Sequence, residues 1–149
     1  MKRWFRAATL ALVLAMGLAV SAAADSNFHT QRIPLMPVDD APLRSGFVID
    51  IHANGPRVFA HERYVLNGAM PNTTYQVALE VFAESTTCAT NIATVNTAIL
   101  RTNTVGNGTA EAFFRPEEVP HNVTVGIAWE FTSDGGVAYQ TACTEVTTD

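Results

Sequence analysis

The sequence predicts an all-β fold, and three observations support that prediction. After residue 45 the chain divides into about seven short runs rich in β-branched and aromatic residues, and no stretch has the periodicity of an amphipathic helix. Glycine, proline and asparagine separate these runs where tight turns are needed. Two cysteines, Cys88 and Cys143, are available to form one disulfide. This pattern predicts a two-sheet Greek-key β-sandwich, with a small closed barrel as the alternative.

The first 24 residues have the three parts of an export signal. Lys2, Arg3 and Arg6 precede an apolar run at residues 7–20, and alanines at residues 22–24 form a small-residue cleavage site. The apolar run is about 14 residues long, whereas a membrane-spanning helix needs about 20. We therefore expect residues 1–24 to be a cleaved signal peptide, and the product to be secreted or periplasmic without membrane insertion after cleavage.

Residues 25–45 are predicted to be a proline-rich, extended leader. Pro34, Pro37 and Pro42 interrupt this segment, and proline lacks the backbone donor that an interior strand requires. We expect at most one edge-pairing stretch, around residues 32–36. The domain itself is predicted to occupy residues 46–149.

Seven strands are expected within that domain, and two of them alternate clearly between apolar and polar residues. The seven predicted strands are residues 47–53, 58–66, 74–83, 92–102, 109–115, 122–132 and 137–144. In the third and sixth strands, alternate residues form one apolar face, which we expect to point inward. These residues are Tyr75, Val77, Leu79 and Val81, and Val125, Ile127, Trp129 and Phe131.

The start of the third strand carries a short motif. Pro71-Asn72-Thr73-Thr74-Tyr75, followed by Gln76-Val77-Ala78-Leu79, resembles the Pro-x-Thr-x-Tyr stretch of fibronectin type III domains, in which the tyrosine closes a corner between sheets. The resemblance covers about ten residues and implies an immunoglobulin-like sandwich. In that family the motif precedes the penultimate strand, whereas about 70 residues follow Tyr75 here, so the strand order or number must differ. A shared fold implies no activity.

The charge of the chain limits its partners. Cleavage after residue 24 would lower the basic residues from nine to six against fourteen acidic ones, and the net charge from −5 to −8. Such a surface repels phosphate backbones and anionic headgroups, so we expect no nucleic acid or membrane partner. The expected partner is an unknown protein or glycan at the cell surface.

Cys88 and Cys143 are predicted to form a disulfide. In an oxidising compartment an isolated pair is usually bridged, and the sequence lacks the Cys-x-x-Cys spacing of a metal or redox site. Closing a loop of about 55 residues contributes about 4 kcal/mol on the chain-entropy model. The bridge is also expected to fasten the last predicted strand.

A metal site is one candidate function. A hairpin that turns at residues 54–56 would place Asp50 opposite His61, with His52 diagonal on the same face. A slip of one residue in the strand register would send His61 to the other face. The alternative is that these three residues are exposed cross-strand polar pairs.

Carbohydrate binding is a second candidate. Tyr139 beside the turn at residues 134–136 is a candidate aromatic platform for a sugar ring, with Asp134 and Asn107 in nearby turns as candidate polar contacts. Trp129 also flanks that turn, but it shares a face with Ile127 and is expected in the core.

Catalysis has little support in the sequence. No serine lies in a Gly-x-Ser-x-Gly elbow, and the best carboxylate pair, Glu80 and Glu130, lies on a predicted solvent face. No cofactor is expected. The resulting hypothesis is a non-catalytic interaction or envelope-associated module that binds through its loops or a sheet edge. A metal-dependent secreted enzyme that uses Asp50, His52 and His61 is the main alternative.

Overall fold

The computed structural model describes residues 29–53 and 57–148, and these residues are almost entirely β-structure. The strands are β1 (His29–Pro37), β2 (Ser45–His52), β3 (Ala60–Asn67), β4 (Thr74–Phe82), β5 (Asn91–Arg101), β6 (Gly108–Phe114), β7 (Val123–Ser133), β8 (Gly136–Thr141) and β9 (Thr144–Thr148). A single 3-10 turn, Pro116–Glu118, lies between β6 and β7. Within the described ranges no helix is long and apolar enough to cross a membrane. The predicted signal peptide lies outside the described residues.

The strands form one antiparallel sheet that curls into a nearly closed barrel. Its order is β5-β4-β7-β8-β1-β2-β3-β6, and β9 pairs with the free portion of β7. Strands β5 and β6 meet at the closing seam, where no hydrogen-bonded ladder joins them in the described part of the chain. The all-β prediction is confirmed, but the described residues form nine strands rather than seven, and their arrangement is closer to the barrel alternative than to the sandwich.

Strand β1 is one of the two strands beyond the predicted seven, and β9 is the other. Strand β1 lies in the segment predicted to be a leader, yet it sits between two neighbours in the sheet. Residues 29–34 pair with β2 and residues 35–37 pair with β8. Ile33 and Leu35 are buried on the two sides of this transition. The prediction of pairing around residues 32–36 located the strand, but its expected position at a sheet edge was wrong.

The interior of the barrel has two different halves. At one end, large side chains from facing strands pack together and are almost completely buried; they include Val48, Tyr64, Leu66, Tyr75, Val77, Leu100, Phe131 and Tyr139. Toward the other end the inward residues of the same strands are smaller or polar. On β4, for example, Tyr75 and Val77 are fully buried, whereas Leu79 and Val81 are only partly buried. The predicted inward faces of β4 and β7 are confirmed, and the second half of β4 and the first half of β7 border a hollow.

The predicted disulfide is confirmed. It joins Cys88 in the β4–β5 connection to Cys143 between β8 and β9, with the two Cα atoms 5.7 Å apart. The bridge lies over β7 at Gly126, where an added Cβ would be 2.9 Å from Cys88 Sγ and 2.4 Å from Glu84 O. Glycine at position 126 therefore lets the bridge and the β4–β5 connection approach the sheet closely.

Candidate functional site

A cavity of about 960 Å³ occupies the hollow half of the barrel. Strands β2, β3, β4, β5, β6, β7 and β9 all contribute side chains to its wall, together with the segment that follows β6. Most of this wall is apolar, including Leu79, Val81, Ala112, Phe114, Val125, Ile127 and Val146. Small-molecule sites in proteins are concave, mostly apolar and commonly about 300–1,000 Å³, so this cavity has the size and lining of one.

The cavity opens beside the seam between β5 and β6. Ile92, Val95 and Phe113 line it and are also exposed to solvent, at 58%, 44% and 58% of their surfaces. Among the described strands, β5 is hydrogen-bonded only to β4, which leaves its other edge without ladder hydrogen bonds along the mouth. Apolar side chains around an opening lower the cost of passing an apolar molecule from water into the barrel.

Three ionisable residues lie inside the barrel at the boundary with the packed core. Asp50 and His52 follow Val48 on the inner face of β2, and Glu62 lies on the inner face of β3. Asp50 and Glu62 are direct cross-strand partners in this register. All three are at least 95% buried, and all three line the cavity. His52 Nε2 lies 3.0 Å from Asp50 Oδ2.

Glu62 accepts hydrogen bonds from one donor on its own strand and from one donor on β7. Trp129 Nε1 on β7 donates a hydrogen bond of 2.9 Å to Glu62 Oε2, and the Tyr64 hydroxyl donates to the same oxygen. The Tyr64 hydroxyl also lies 2.6 Å from Thr97 Oγ1 on β5. The second carboxylate oxygen, Glu62 Oε1, has no hydrogen-bond partner within the described ranges. The carboxyl group is thus fixed through one oxygen, and its other oxygen is available at the cavity.

The surroundings of Glu62 favour its protonated form. The pKa of Glu62 is raised to about 7, mainly by burial and also by the adjacent Asp50 carboxylate. The hydrogen bonds from Tyr64 and Trp129 and the charge of His52 act in the opposite direction. Burial and the Glu62 carboxylate also raise the pKa of Tyr64, so this hydroxyl remains a donor. Near neutral pH, Glu62 therefore exchanges between a neutral acid and a carboxylate inside the barrel.

The residues of the predicted metal site do not converge. In the β2–β3 ladder Asp50 pairs with Glu62, and His61 pairs with Ile51, so the expected Asp50–His61 pairing is wrong by one residue. His61 therefore lies on the outer face of the barrel, where its ring stacks on Phe113 with ring centroids 4.2 Å apart. Within the described residues, no group of three or more His, Cys, Asp or Glu side chains has an arrangement that would hold a metal ion.

The residues proposed for sugar binding are dispersed. Tyr139 is fully buried, and its hydroxyl donates a 2.7 Å hydrogen bond to Pro42 O in the connection before β2. Asn107 Oδ1 accepts a hydrogen bond from Gly68 N and so ties two turns together. Asp134 is exposed in the β7–β8 turn. None of these three residues lines the cavity.

The sequence reasoning missed Glu62 and Tyr64, and it treated Trp129 only as a core residue. The sequence does contain one indication of a buried polar site. Asp50 has the same strand parity as the apolar residue Val48, and Glu62 has the same parity as Leu66. Acidic residues at core positions of two consecutive strands indicate a buried polar site, since isolated buried carboxylates are costly.

Comparison of the chain with known protein families, with curated proteins and with solved structures finds no match.

Proposed function

We propose that this chain is an exported, non-catalytic binding protein that holds a small, mainly apolar molecule inside its barrel. The cavity of about 960 Å³ is the observation on which the proposal rests. Export is supported by the disulfide and by the pattern of residues 1–24.

The two halves of the barrel support a binding role. One end is filled with large side chains and is sufficient to form a hydrophobic core. At the other end the same strands surround a cavity that side chains do not fill. The fold therefore lacks the dispersion energy that packed side chains would contribute there. A hollow with an apolar wall recovers that energy when an apolar molecule occupies it.

The buried acidic groups give the cavity a specific polar end. Burying Asp50 and Glu62 side by side costs stability, and apolar residues of similar size would avoid that cost. Perturbed ionisable groups in a cleft are typical of functional sites. We infer that these carboxyl groups orient the bound molecule.

The alternatives considered from sequence have weaker support. A metal-dependent enzyme built on Asp50, His52 and His61 needs these side chains together, and His61 lies on the opposite face. A sugar presents many hydroxyl groups, whereas this cavity wall is mostly apolar and would leave those groups without partners.

The proposal is tested with the neutral fluorescent probe N-phenyl-1-naphthylamine, whose emission rises in apolar surroundings. We expect the probe to bind the wild-type chain. Val125→Trp would place an indole inside the cavity and weaken binding at least about tenfold, because about 1.4 kcal/mol of apolar contact would be lost.

Thr124→Trp is the matched control, because Thr124 is the preceding residue on β7 and faces solvent. This variant should bind the probe like the wild-type chain. The proposal is refuted if the wild-type chain does not bind the probe, or if Val125→Trp binds it as tightly as Thr124→Trp does.

A further inference from the structure

We propose that the molecule held in the cavity carries one protonated amine, which lies against Asp50 and Glu62. This inference rests on the proposed function and specifies the chemical class of the ligand. It follows from the sign of the charges around the cavity, from the free oxygens inside it and from the shape of the site.

The ionisable residues that line the cavity are strongly biased toward acids. Asp50 and Glu62 lie inside, with His52 beside Asp50, and Glu111 and Glu118 lie at the rim. Glu111 is 3.8 Å from Arg63 on the outer surface, and Glu118 accepts a hydrogen bond from Arg115 N, so the rim acids already have partners. No lysine or arginine lines the cavity in the described part of the chain. The basic side chain of His52 is already paired with Asp50, so an anionic head group would meet mainly charges of its own sign.

The inner carboxyl groups, in contrast, lack a full complement of partners. One oxygen of Asp50 contacts His52, and one oxygen of Glu62 accepts from Tyr64 and Trp129. The remaining oxygen of each accepts no hydrogen bond within the described ranges. Because the two residues are cross-strand partners, a cation placed between them reaches both. Such a cation would also relieve the repulsion from Asp50, which adds to the effect of burial in raising the pKa of Glu62.

The shape of the site favours an organic cation over a metal ion. The described residues contain no cluster of three or more potential metal ligands. The wall beyond the carboxyl groups is apolar and extends to the β5–β6 mouth. A protonated amine on a hydrocarbon body matches both parts, since its head pairs with carboxylates and its body replaces water against the wall.

The test compares three competitors with the same ten-carbon chain: decylamine, decan-1-ol and decanoate. Each displaces N-phenyl-1-naphthylamine from the wild-type chain at pH 8, where most Glu62 is ionised and the amine is protonated. We expect decylamine to displace the probe at a concentration at least about tenfold lower than decan-1-ol, as a charge-assisted hydrogen bond would produce. Decanoate should be the weakest competitor.

Glu62→Gln should reduce the preference for decylamine over decan-1-ol to about threefold or less, because the amide keeps the shape and removes the charge. Asp50→Asn should reduce the same preference, and it serves as the second variant if Glu62→Gln does not fold. Glu117→Gln is the control, since Glu117 is an exposed acid that does not line the cavity. The preference of Glu117→Gln for decylamine over decan-1-ol should equal that of the wild-type chain.

The outcomes separate the two proposals. If the probe does not bind the wild-type chain, the proposed function fails. If the probe binds but decan-1-ol or decanoate displaces it as well as decylamine does, only the amine proposal fails. Retention of the full preference by the folded Glu62→Gln and Asp50→Asn variants would also overturn the amine proposal.

Discussion

The buried carboxyl group of Glu62 should make the stability of the fold depend on pH in a defined direction. Burial raises its pKa from the ordinary value of 4.5 to about 7 in the folded chain. Between these two values the unfolded chain releases the proton while the folded chain retains it. Stability from this residue is therefore fully present below pH 4.5, is lost as pH rises, and stays at its lower level above pH 7.

The magnitude follows from the two pKa values. Their difference corresponds to about 3 kcal/mol between pH 4 and pH 8. Glu62→Gln removes the titrating proton and keeps an oxygen that accepts from Tyr64 and Trp129. The free energy of unfolding of the wild-type chain, minus that of Glu62→Gln, should therefore fall by about 3 kcal/mol across this range.

Urea unfolding followed by far-ultraviolet circular dichroism measures both free energies at each pH. Asp50, His52 and Tyr64 are the titratable groups that surround Glu62, and they are present in both proteins, so most of their own contributions cancel. Glu117→Gln, which changes an exposed carboxylate, should track the wild-type chain. If Glu62→Gln and wild-type stabilities stay parallel from pH 4 to pH 8, the reasoning about Glu62 is wrong.

Two further predictions concern the framework of the barrel. The double variant Cys88→Ala/Cys143→Ala should lose about 4 kcal/mol of stability in urea, because the bridge closes a loop with a sequence separation of 55; an unchanged midpoint would contradict this. Gly106→Ala should lose at least about 2 kcal/mol, because Gly106 has φ +77° and an added Cβ would lie 2.0 Å from a backbone oxygen of the β3–β4 turn. Gly135→Ala, in an open turn, should change stability by less than about 0.5 kcal/mol, and equal losses in both variants would refute the steric argument.

Strand positions are predictable where apolar and polar residues alternate strongly. The prediction is wrong where proline interrupts a strand. Strands β4 and β7 match their predicted runs closely because one face of each is continuously apolar. Strand β1 was assigned to a leader because Pro34 and Pro37 lack backbone donors. In the sheet, Pro34 is the last residue paired with β2, at the place where β1 changes neighbours, and Pro37 ends the strand. The prolines therefore lie where fewer ladder hydrogen bonds are required.

The polar site could be predicted only in part. Asp50 and His52 were selected because their chemistry and spacing suggested a common face, and the structure brings them together. The expected third residue of the site, His61, was wrong. The β2–β3 register differs from the expected one by one residue, so Glu62 rather than His61 lies opposite Asp50. Strand β3 has polar residues on both faces, so hydrophobic alternation does not define its register. The contacts from Trp129 and Thr97 depend on closure of the barrel, which local sequence does not encode.

The position of β1 between β2 and β8 determines when the sheet can be completed during folding. Residues 35–37 find their ladder partners at residues 139–141, about a hundred positions later. A nascent chain on the ribosome can form the β2–β3 hairpin early, but it cannot complete the sheet until nearly all of its length has emerged. Such non-local pairing slows folding, so the sheet stays incomplete until residues 139–141 are available to pair.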